Sequence, residues 1–112
     1  MEGIRRTSIN GEISVNFTTI SSTELKQRIE AGDDLILLDV RQPEEHAEQH
    51  IPSSILIPLG ELPARLDELE QYRNRELIVY CRSGNRSGQA CMFLGMQGFT
   101  NPVNLEGGML QW

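Results

Sequence analysis

The sequence is poor in cysteine, in aromatic residues and in long apolar runs. Two cysteines in 112 residues are too few for a disulfide framework, so reactivity or packing must explain each thiol. No apolar run approaches the roughly 18 residues of a membrane span, and the first residues lead into no apolar signal core. We therefore expect a cytoplasmic protein with no membrane partner.

Positive charge is also scarce. The chain has 10 Lys and Arg against 16 Asp and Glu, a formal net charge of −6. Binding to a nucleic-acid backbone normally requires a cationic face, so nucleic acid is not an expected partner and any anion site must be local. Hydrophobic residues at 38% and charged residues at 23% are ordinary for a soluble globular protein of one domain.

Residues 1–14 are mixed and polar, with Gly3 and Asn10-Gly11 as turn formers. This composition favours a loosely structured lead or a short extra strand, followed by a single domain over residues 15–112. The domain opens with a capping-box pattern at residues 21–24, which predicts a first helix that ends at Gly32.

Four apolar segments are typical of strands, and two of them, residues 35–40 and 77–80, lack alternation, as strands covered on both faces do. The predicted strands are residues 35–40, 55–57, 77–80 and 102–105. Between them, Leu62, Leu66 and Leu69 predict the inward stripe of a helix that Pro63 helps to start, and Ser87 to about Gln97 predicts another that Gly98 ends. Alternation of strands and helices predicts an α/β fold with a parallel sheet covered on both sides.

The most informative stretch is CRSGNRSG at residues 81–88, between a predicted strand and a predicted helix. Gly84 is the residue best able to adopt a positive φ in that turn, which would converge successive N–H groups and the helix N-terminus on the sulfur of Cys81. Arg82 and Arg86 add positive charge, so we expect a thiolate and a pKa below the usual value of about 8.5.

Each cysteine also has a plainer interpretation, as a small buried apolar residue. For Cys81, the arginines, the central glycine and the helix start within six residues favour a reactive thiol. For Cys91, which lies inside the predicted helix among apolar residues, packing is favoured over a role as a resolving thiol.

These residues resemble the rhodanese domain family, the sulfurtransferases, over about residues 18–112. Four ordered motifs carry the resemblance: LDVR with PEE at residues 38–45, HIP with IP at residues 50–58, CRSGNRS at residues 81–87, and NLEGG with a final Trp at residues 104–112. The resemblance implies a single-domain, three-layer rhodanese-like α/β fold, with a central and mainly parallel sheet of about five strands flanked by helices.

The resemblance also implies a double-displacement reaction. The Cys81 thiolate would attack the sulfane sulfur of an anionic donor such as thiosulfate, sulfite would leave, and a Cys81 persulfide would pass its outer sulfur to cyanide or to a thiol, including the thiol of a thioredoxin-like protein. The substrate-binding residues would be those of the loop: Arg82, Ser83, Gly84, Asn85, Arg86 and Ser87. Neither a metal nor an organic cofactor is required.

Asp39 and Arg41 lie where the family places residues that brace the pocket. A supporting role is expected from the resemblance, although a helix cap or a surface ion pair explains the same two residues.

Two other functions use the same residues. Tyrosine phosphatases and the related cell-cycle phosphatases place five residues between cysteine and arginine, whereas four residues separate Cys81 from Arg86. The shorter loop favours sulfur transfer over phosphoryl chemistry. Phosphatase or arsenate reductase activity is the alternative. A third hypothesis is a module that binds or carries sulfur with little turnover.

The chain departs from the family pattern at His46, where an aromatic residue is common, at Gln49, where glycine is usual, and at Ser53-Ser54, where glycine-alanine is frequent. A left-handed conformation at position 49 would cost about 1 kcal/mol. His46 and His50 are four residues apart, but no third ligand is evident and we predict no metal site. Relatives continue for about a dozen residues past Trp112, so the domain is expected to be short at its C-terminus.

Overall fold

The computed structural model describes residues 4–9 and 13–112, which form six strands and three α-helices. The strands are β1 (Ile4–Ile9), β2 (Ile13–Ile20), β3 (Leu37–Asp39), β4 (Ile55–Leu56), β5 (Glu76–Tyr80) and β6 (Asn101–Leu105). The α-helices are α1 (Ser22–Glu30), α2 (Pro43–Glu48) and α3 (Asn85–Met96). Three segments are 3-10 helices: Leu59–Glu61, Pro63–Tyr72 and Gly108–Gln111.

The strands form one sheet in the order β1-β2-β6-β5-β3-β4. From β2 through β6, β5 and β3 to β4, each strand pairs in parallel with its neighbour. Strand β1 lies at the edge and pairs antiparallel with β2. The prediction of an α/β fold with a central, mainly parallel sheet of about five strands is confirmed. None of the helices among the described residues is long and apolar enough to span a membrane.

Both faces of the sheet are covered, which explains the continuous apolar runs. Because successive side chains of a strand point to opposite faces, Leu38 and Val79 pack with α3 on one face, while Leu37 and Ile78 pack with Leu25 of α1 on the other. A residue pattern without alternation is therefore what a doubly covered strand requires.

Helices α1 and α3 begin and end close to their predicted limits. Ser21 is the N-cap of α1, and its side chain accepts a hydrogen bond of 3.1 Å from the N–H of Glu24. Helix α3 begins two residues before Ser87, at Asn85, and Gly98 follows it with a φ of +93°. A glycine tolerates this left-handed conformation without the steric cost of a Cβ.

The predicted helix around Leu62 and Leu69 has a different form. Leu62 and Leu69 are buried and Leu66 packs partly buried against the core, but the segment is 3-10 helix and Arg65 has non-helical angles (φ −116°, ψ 16°). Pro63 has no N–H with which to continue a helical ladder, and the N–H of Arg65 bonds to the carbonyl of Leu62, three residues back. The spacing of apolar residues predicted the buried face correctly but not the type of helix.

The N-terminal segment contributes to the sheet. Residues 4–9 form β1, at the edge of the sheet. Strand β2 already begins at Ile13, before the proposed start of the domain at residue 15. The predicted turn formers Gly3 and Asn10-Gly11 lie outside the described residues, and the division into a lead and a domain stays a prediction.

Candidate active site

Cys81 directly follows β5, at the carboxyl end of a strand that lies between β6 and β3. Ligands of open α/β sheets bind at this end of the strands. The Cys81 residue is fully buried, and its sulfur accepts hydrogen bonds from the N–H of Gly84 at 3.1 Å and from the hydroxyl of Ser87 at 3.3 Å. Gly84 has a φ of +102°, which confirms its predicted left-handed conformation.

The surroundings of Cys81 have opposing effects on its thiol. Burial raises the pKa of Cys81, but hydrogen bonds from the Ser87 hydroxyl and from the N–H groups of Ser87, Gly84 and Ser83 lower it by more. The pKa of Cys81 therefore lies below its ordinary value, in the predicted direction. The peptide N–H groups contribute as expected, the Ser87 hydroxyl adds to them, and neither arginine is among the main causes that lower this pKa.

The two arginines of the loop have different environments. Arg86 donates two hydrogen bonds, of 2.8 and 2.9 Å, to the carboxylate of Glu45 on α2. This bond to Glu45 is the main cause that raises the pKa of Arg86, and the charge of Cys81 contributes less. Arg82 is exposed, and its side chain makes no hydrogen bond or ion pair with another described residue.

The loop residues line two clefts. Arg82 faces a cleft of about 390 Å³ with Arg41, Glu45 and Leu110 among its lining residues. Ser83, Gly84 and Asn85 line a second cleft of about 400 Å³. Of the six predicted substrate-binding residues, Arg82, Ser83 and Asn85 are thus exposed, whereas Ser87 is buried against the sulfur.

Asp39 and Arg41 form a buried ion pair. Arg41 donates its N–H and Nε–H to Asp39 Oδ1, at 2.9 and 3.0 Å, and its Nη2 to Asp39 Oδ2 at 2.8 Å. Burial raises the pKa of Asp39, but the bonds from Arg41 and His46 outweigh it and hold that pKa below its usual value. The pair is therefore buried and is not the surface ion pair considered from the sequence, and Arg41 also donates to the carbonyl of Gln49 at 2.6 Å.

The two histidines stack on each other. Their rings are 3.9 Å apart, His46 Nδ1 lies 2.9 Å from Asp39 Oδ2, and His50 Nδ1 lies 2.8 Å from the carbonyl oxygen of His46. No group of three or more metal-ligating side chains occurs within the part of the chain that the structure describes. The contact between His46 and Asp39 was not predicted, and only the position of His46 in the resembled signature could have suggested it.

Two further residues at the site, Asn104 and Gly108, were not among the predicted site residues. Both belong to the NLEGG motif that carries the resemblance, but the sequence indicated no role for either. Asn104 of β6 accepts a hydrogen bond from the Ser87 hydroxyl and donates one to the carbonyl of Gly84. Gly108 allows the N–H groups of Met109 and Leu110 to bond, each at 2.9 Å, to the carbonyls of Cys81 and Arg82.

Cys91 lies on α3 and is fully buried in the apolar core. Burial raises the pKa of its thiol well above the ordinary range. A buried, protonated thiol packs as an apolar side chain, which supports the predicted packing role.

Comparisons with known proteins agree with this geometry. The family model described as "Rhodanese-like domain" matches residues 21–112. The chain is 44% identical over 93 residues to YtwF of Bacillus subtilis, named as a candidate sulfurtransferase (83% of this chain, 87% of that protein), and 33% identical over 109 residues to the thiosulfate:glutathione sulfurtransferase of Saccharomyces cerevisiae (87% and 78%). The crystal structure of a rhodanese-like domain protein from Staphylococcus aureus superposes with a TM-score of 0.74 at 34% identity (84% and 89%).

Proposed function

Because this chain belongs to the rhodanese-like domain family, we propose that it is a sulfurtransferase in which Cys81 carries the transferred sulfur as a persulfide. Similarity to named sulfurtransferases supports sulfur transfer as the general activity. The observation that supports the role of Cys81 is the position of its sulfur, which accepts hydrogen bonds from Gly84 and Ser87 next to the N-terminus of α3.

The first half-reaction uses thiosulfate or another anionic donor of sulfane sulfur. The Cys81 thiolate attacks the outer sulfur, the sulfur–sulfur bond of thiosulfate breaks, and its electron pair leaves with sulfite. The donor and the persulfide are both anionic, and the N–H groups that now stabilise the thiolate would stabilise negative charge in both. Arg86 lies close enough to interact electrostatically with Cys81 and adds fixed positive charge.

The second half-reaction returns Cys81 to the thiolate. A thiolate or cyanide attacks the outer sulfur of the persulfide, and the bond to Cys81 breaks with its electron pair on the Cys81 sulfur. The exposure of Arg82, Ser83 and Asn85 beside two open clefts suits a thiol presented by a protein or by a small peptide. We expect a dithiol protein to accept sulfur faster than cyanide does, and the reverse ranking in a single-turnover assay would count against a protein acceptor.

Intact-protein mass spectrometry before and after thiosulfate tests the covalent step. The expected gain is one sulfur, about 32 Da, which is lost when cyanide is added. Cys81→Ser should gain nothing, while Cys91→Ser should gain sulfur as the wild type does, because that thiol is buried and protonated.

A folded, reduced protein that gains no sulfur from thiosulfate, from a polysulfide or from a persulfidated thiol would overturn the proposal. Turnover of a phosphate ester or of arsenate by that protein would then assign the same cysteine to phosphatase or arsenate reductase chemistry. Sulfur gain without transfer to cyanide or any thiol would identify a sulfur-carrying module.

A further inference from the structure

The hydroxyl of Ser87 lies between two groups that can both accept its hydrogen. Its oxygen is 2.5 Å from Asn104 Oδ1 and 3.3 Å from the Cys81 sulfur. A serine hydroxyl has one hydrogen to donate. It cannot make both hydrogen bonds at full strength at the same time.

The orientation of the Asn104 amide follows from a second contact. Asn104 is 6% exposed, and its Nδ2 lies 3.2 Å from the carbonyl oxygen of Gly84, which requires a donor. With Nδ2 committed to Gly84, the atom that faces Ser87 is Oδ1, which can only accept. The Ser87 hydroxyl is therefore the donor in that short contact.

We propose that Asn104 is a positioning residue that competes with the Cys81 sulfur for the single hydrogen of the Ser87 hydroxyl. This role rests on the proposed function in one respect, that Cys81 is the reacting thiol. Asn104 acts through Ser87 and does not touch the sulfur itself.

The hydroxyl has one arrangement for each state of the thiol. In the neutral state, Ser87 donates to Asn104 Oδ1, and its oxygen is free to accept the S–H of Cys81. On ionisation the proton of Cys81 passes to water, and the Ser87 hydroxyl rotates to donate to the sulfur. The bond between Ser87 and Asn104 is lost in that rotation, so Asn104 favours the neutral thiol.

This competition has a use in sulfur transfer. The nucleophilicity of a thiolate falls as its pKa falls, and the best attacking thiol has a pKa near the ambient pH. The donors of the loop already lower the pKa of Cys81. By holding back the Ser87 hydroxyl, Asn104 keeps that pKa from falling further and keeps the thiolate reactive.

Other charges near the sulfur are common to the neutral and ionised states. Cys81 is coupled electrostatically to Arg86 and to Cys91, and Arg86 is in turn coupled to Glu45 and Asp39. None of these groups is altered by a substitution at position 104 or 87. Their contribution therefore cancels when the two substitutions are combined in a double-mutant cycle.

The test is the pH dependence of the alkylation rate of Cys81 by iodoacetamide, in wild type, Asn104→Leu, Ser87→Ala and the double variant. Loss of the bond between Asn104 and Gly84 affects both Asn104→Leu proteins equally. Asn104→Leu changes the apparent pKa of Cys81 in each background. We expect this change to be more negative by about 0.5–1 when Ser87 is present than when Ser87 is replaced by alanine.

Equal changes in the two backgrounds, or a difference of the opposite sign, would overturn the proposal. Asn104→Ala repeats the comparison if the leucine variant does not fold by circular dichroism. Asn101→Leu is the matched control, because Asn101 is exposed on the same strand, and it should leave the alkylation profile unchanged. Alkylation needs no sulfur donor, so failure of sulfur transfer and failure of this coupling are separate results.

Discussion

A Cβ atom on Gly108 would lie 2.5 Å from the carbonyl oxygen of Cys81, and 2.6 Å from the carbonyl carbon and oxygen of Arg82. Two hydrogen bonds, from Met109 and Leu110 to the same two carbonyls, hold the chain at this distance. Gly108 thus holds the turn that precedes Met109 against the first peptide groups of the Cys81 loop.

Gly108→Ala should displace the loop. Its φ of +56° costs a side-chain residue about 1 kcal/mol, and the clash with backbone atoms adds about 1–3 kcal/mol. We expect the free energy of unfolding to fall by about 2–4 kcal/mol in urea denaturation. The alkylation rate of Cys81 at neutral pH should fall as well, because displaced peptide groups stabilise the thiolate less.

Gly32→Ala separates the conformational cost from the clash. Gly32 has a similar φ of +79°, but nothing lies within 4 Å of the position of its Cβ. This variant should lose only the conformational part, about 1 kcal/mol, and keep the reactivity of Cys81. Equal losses in the two glycine variants would contradict the role assigned to the contact between Gly108 and Cys81.

Asp39→Asn should destabilise the protein without removing the chemistry. Breaking a buried ion pair leaves the charge of Arg41 without its partner, at a cost of about 3–5 kcal/mol. The expected result is a large loss in the free energy of unfolding, while protein that remains folded at low temperature still gains sulfur at Cys81. Failure of the folded variant to form the persulfide would instead place Asp39 in the catalytic machinery.

Asp34→Asn is the matched control for that measurement. Asp34 also has an arginine partner, Arg75, at 3.2 Å, but its side chain is 89% exposed. Exposed ion pairs contribute little to stability, so the change should stay within about 1 kcal/mol.

Glu45 gives the protein a stability that depends on acid pH. The hydrogen bonds from Arg86 lower the pKa of Glu45 to about 2, below its value of about 4.3 in an unfolded chain. The contribution of this carboxylate is complete above the unfolded pKa and is lost as the pH falls through the folded one. The stability difference between wild type and Glu45→Gln should therefore be constant above about pH 5 and shrink between pH 4 and pH 2.

Thermal unfolding across that pH range measures the difference. Glutamine keeps an acceptor for the N–H of Gln42, so the substitution removes the charge while preserving the helix cap. Glu44→Gln, exposed on the same helix, should differ little from wild type at any pH. A stability difference for Glu45→Gln that is unchanged down to pH 2 would mean that the pair with Arg86 is not formed in solution.

The strands and helices that were predicted are marked by patterns of residues close together in the sequence. The strands β3 and β5 were predicted because both faces are buried and the sequence is apolar throughout, and α1 because Ser21 caps it. Strand β2 has the sequence ISVNFTTI, which alternates apolar and polar residues over residues 13–18, a pattern typical of a strand that the prediction did not use. Its place depends on pairing with β6, which lies more than 80 residues further along the chain.

The candidate active site shows the same division between local and distant contacts. The Cys81 loop was predicted because its sulfur, donors and turn lie within seven residues. The pairs that complete the site join distant positions: Ser87 and Asn104 are 17 residues apart, and Glu45 and Arg86 are 41 apart. Such contacts are set by the parallel sheet and leave no spacing pattern in the sequence. Arg86 was therefore predicted as free positive charge, although Glu45 neutralises much of it.

Ser53 is the departure from the family pattern that carries backbone strain. Gln49 has extended angles (φ −160°, ψ 134°), so the cost considered for that position does not arise, whereas Ser53 has a φ of +69°. Ser53→Gly removes the strain, although the glycine also gains freedom in the unfolded chain, and we expect a net stabilisation of about 0.5–1 kcal/mol.

The neighbouring position should respond in the opposite way. Ser54 bonds through its hydroxyl to the carbonyl of Ile51 at 2.7 Å and to the buried hydroxyl of Tyr80 at 2.8 Å. Ser54→Ala restores the residue frequent in the family but removes both bonds, and should destabilise by about 1 kcal/mol. Urea denaturation of the two single variants decides the matter: loss of stability in Ser53→Gly would show that φ at this position is not strained, and no loss in Ser54→Ala would show that Tyr80 finds another partner.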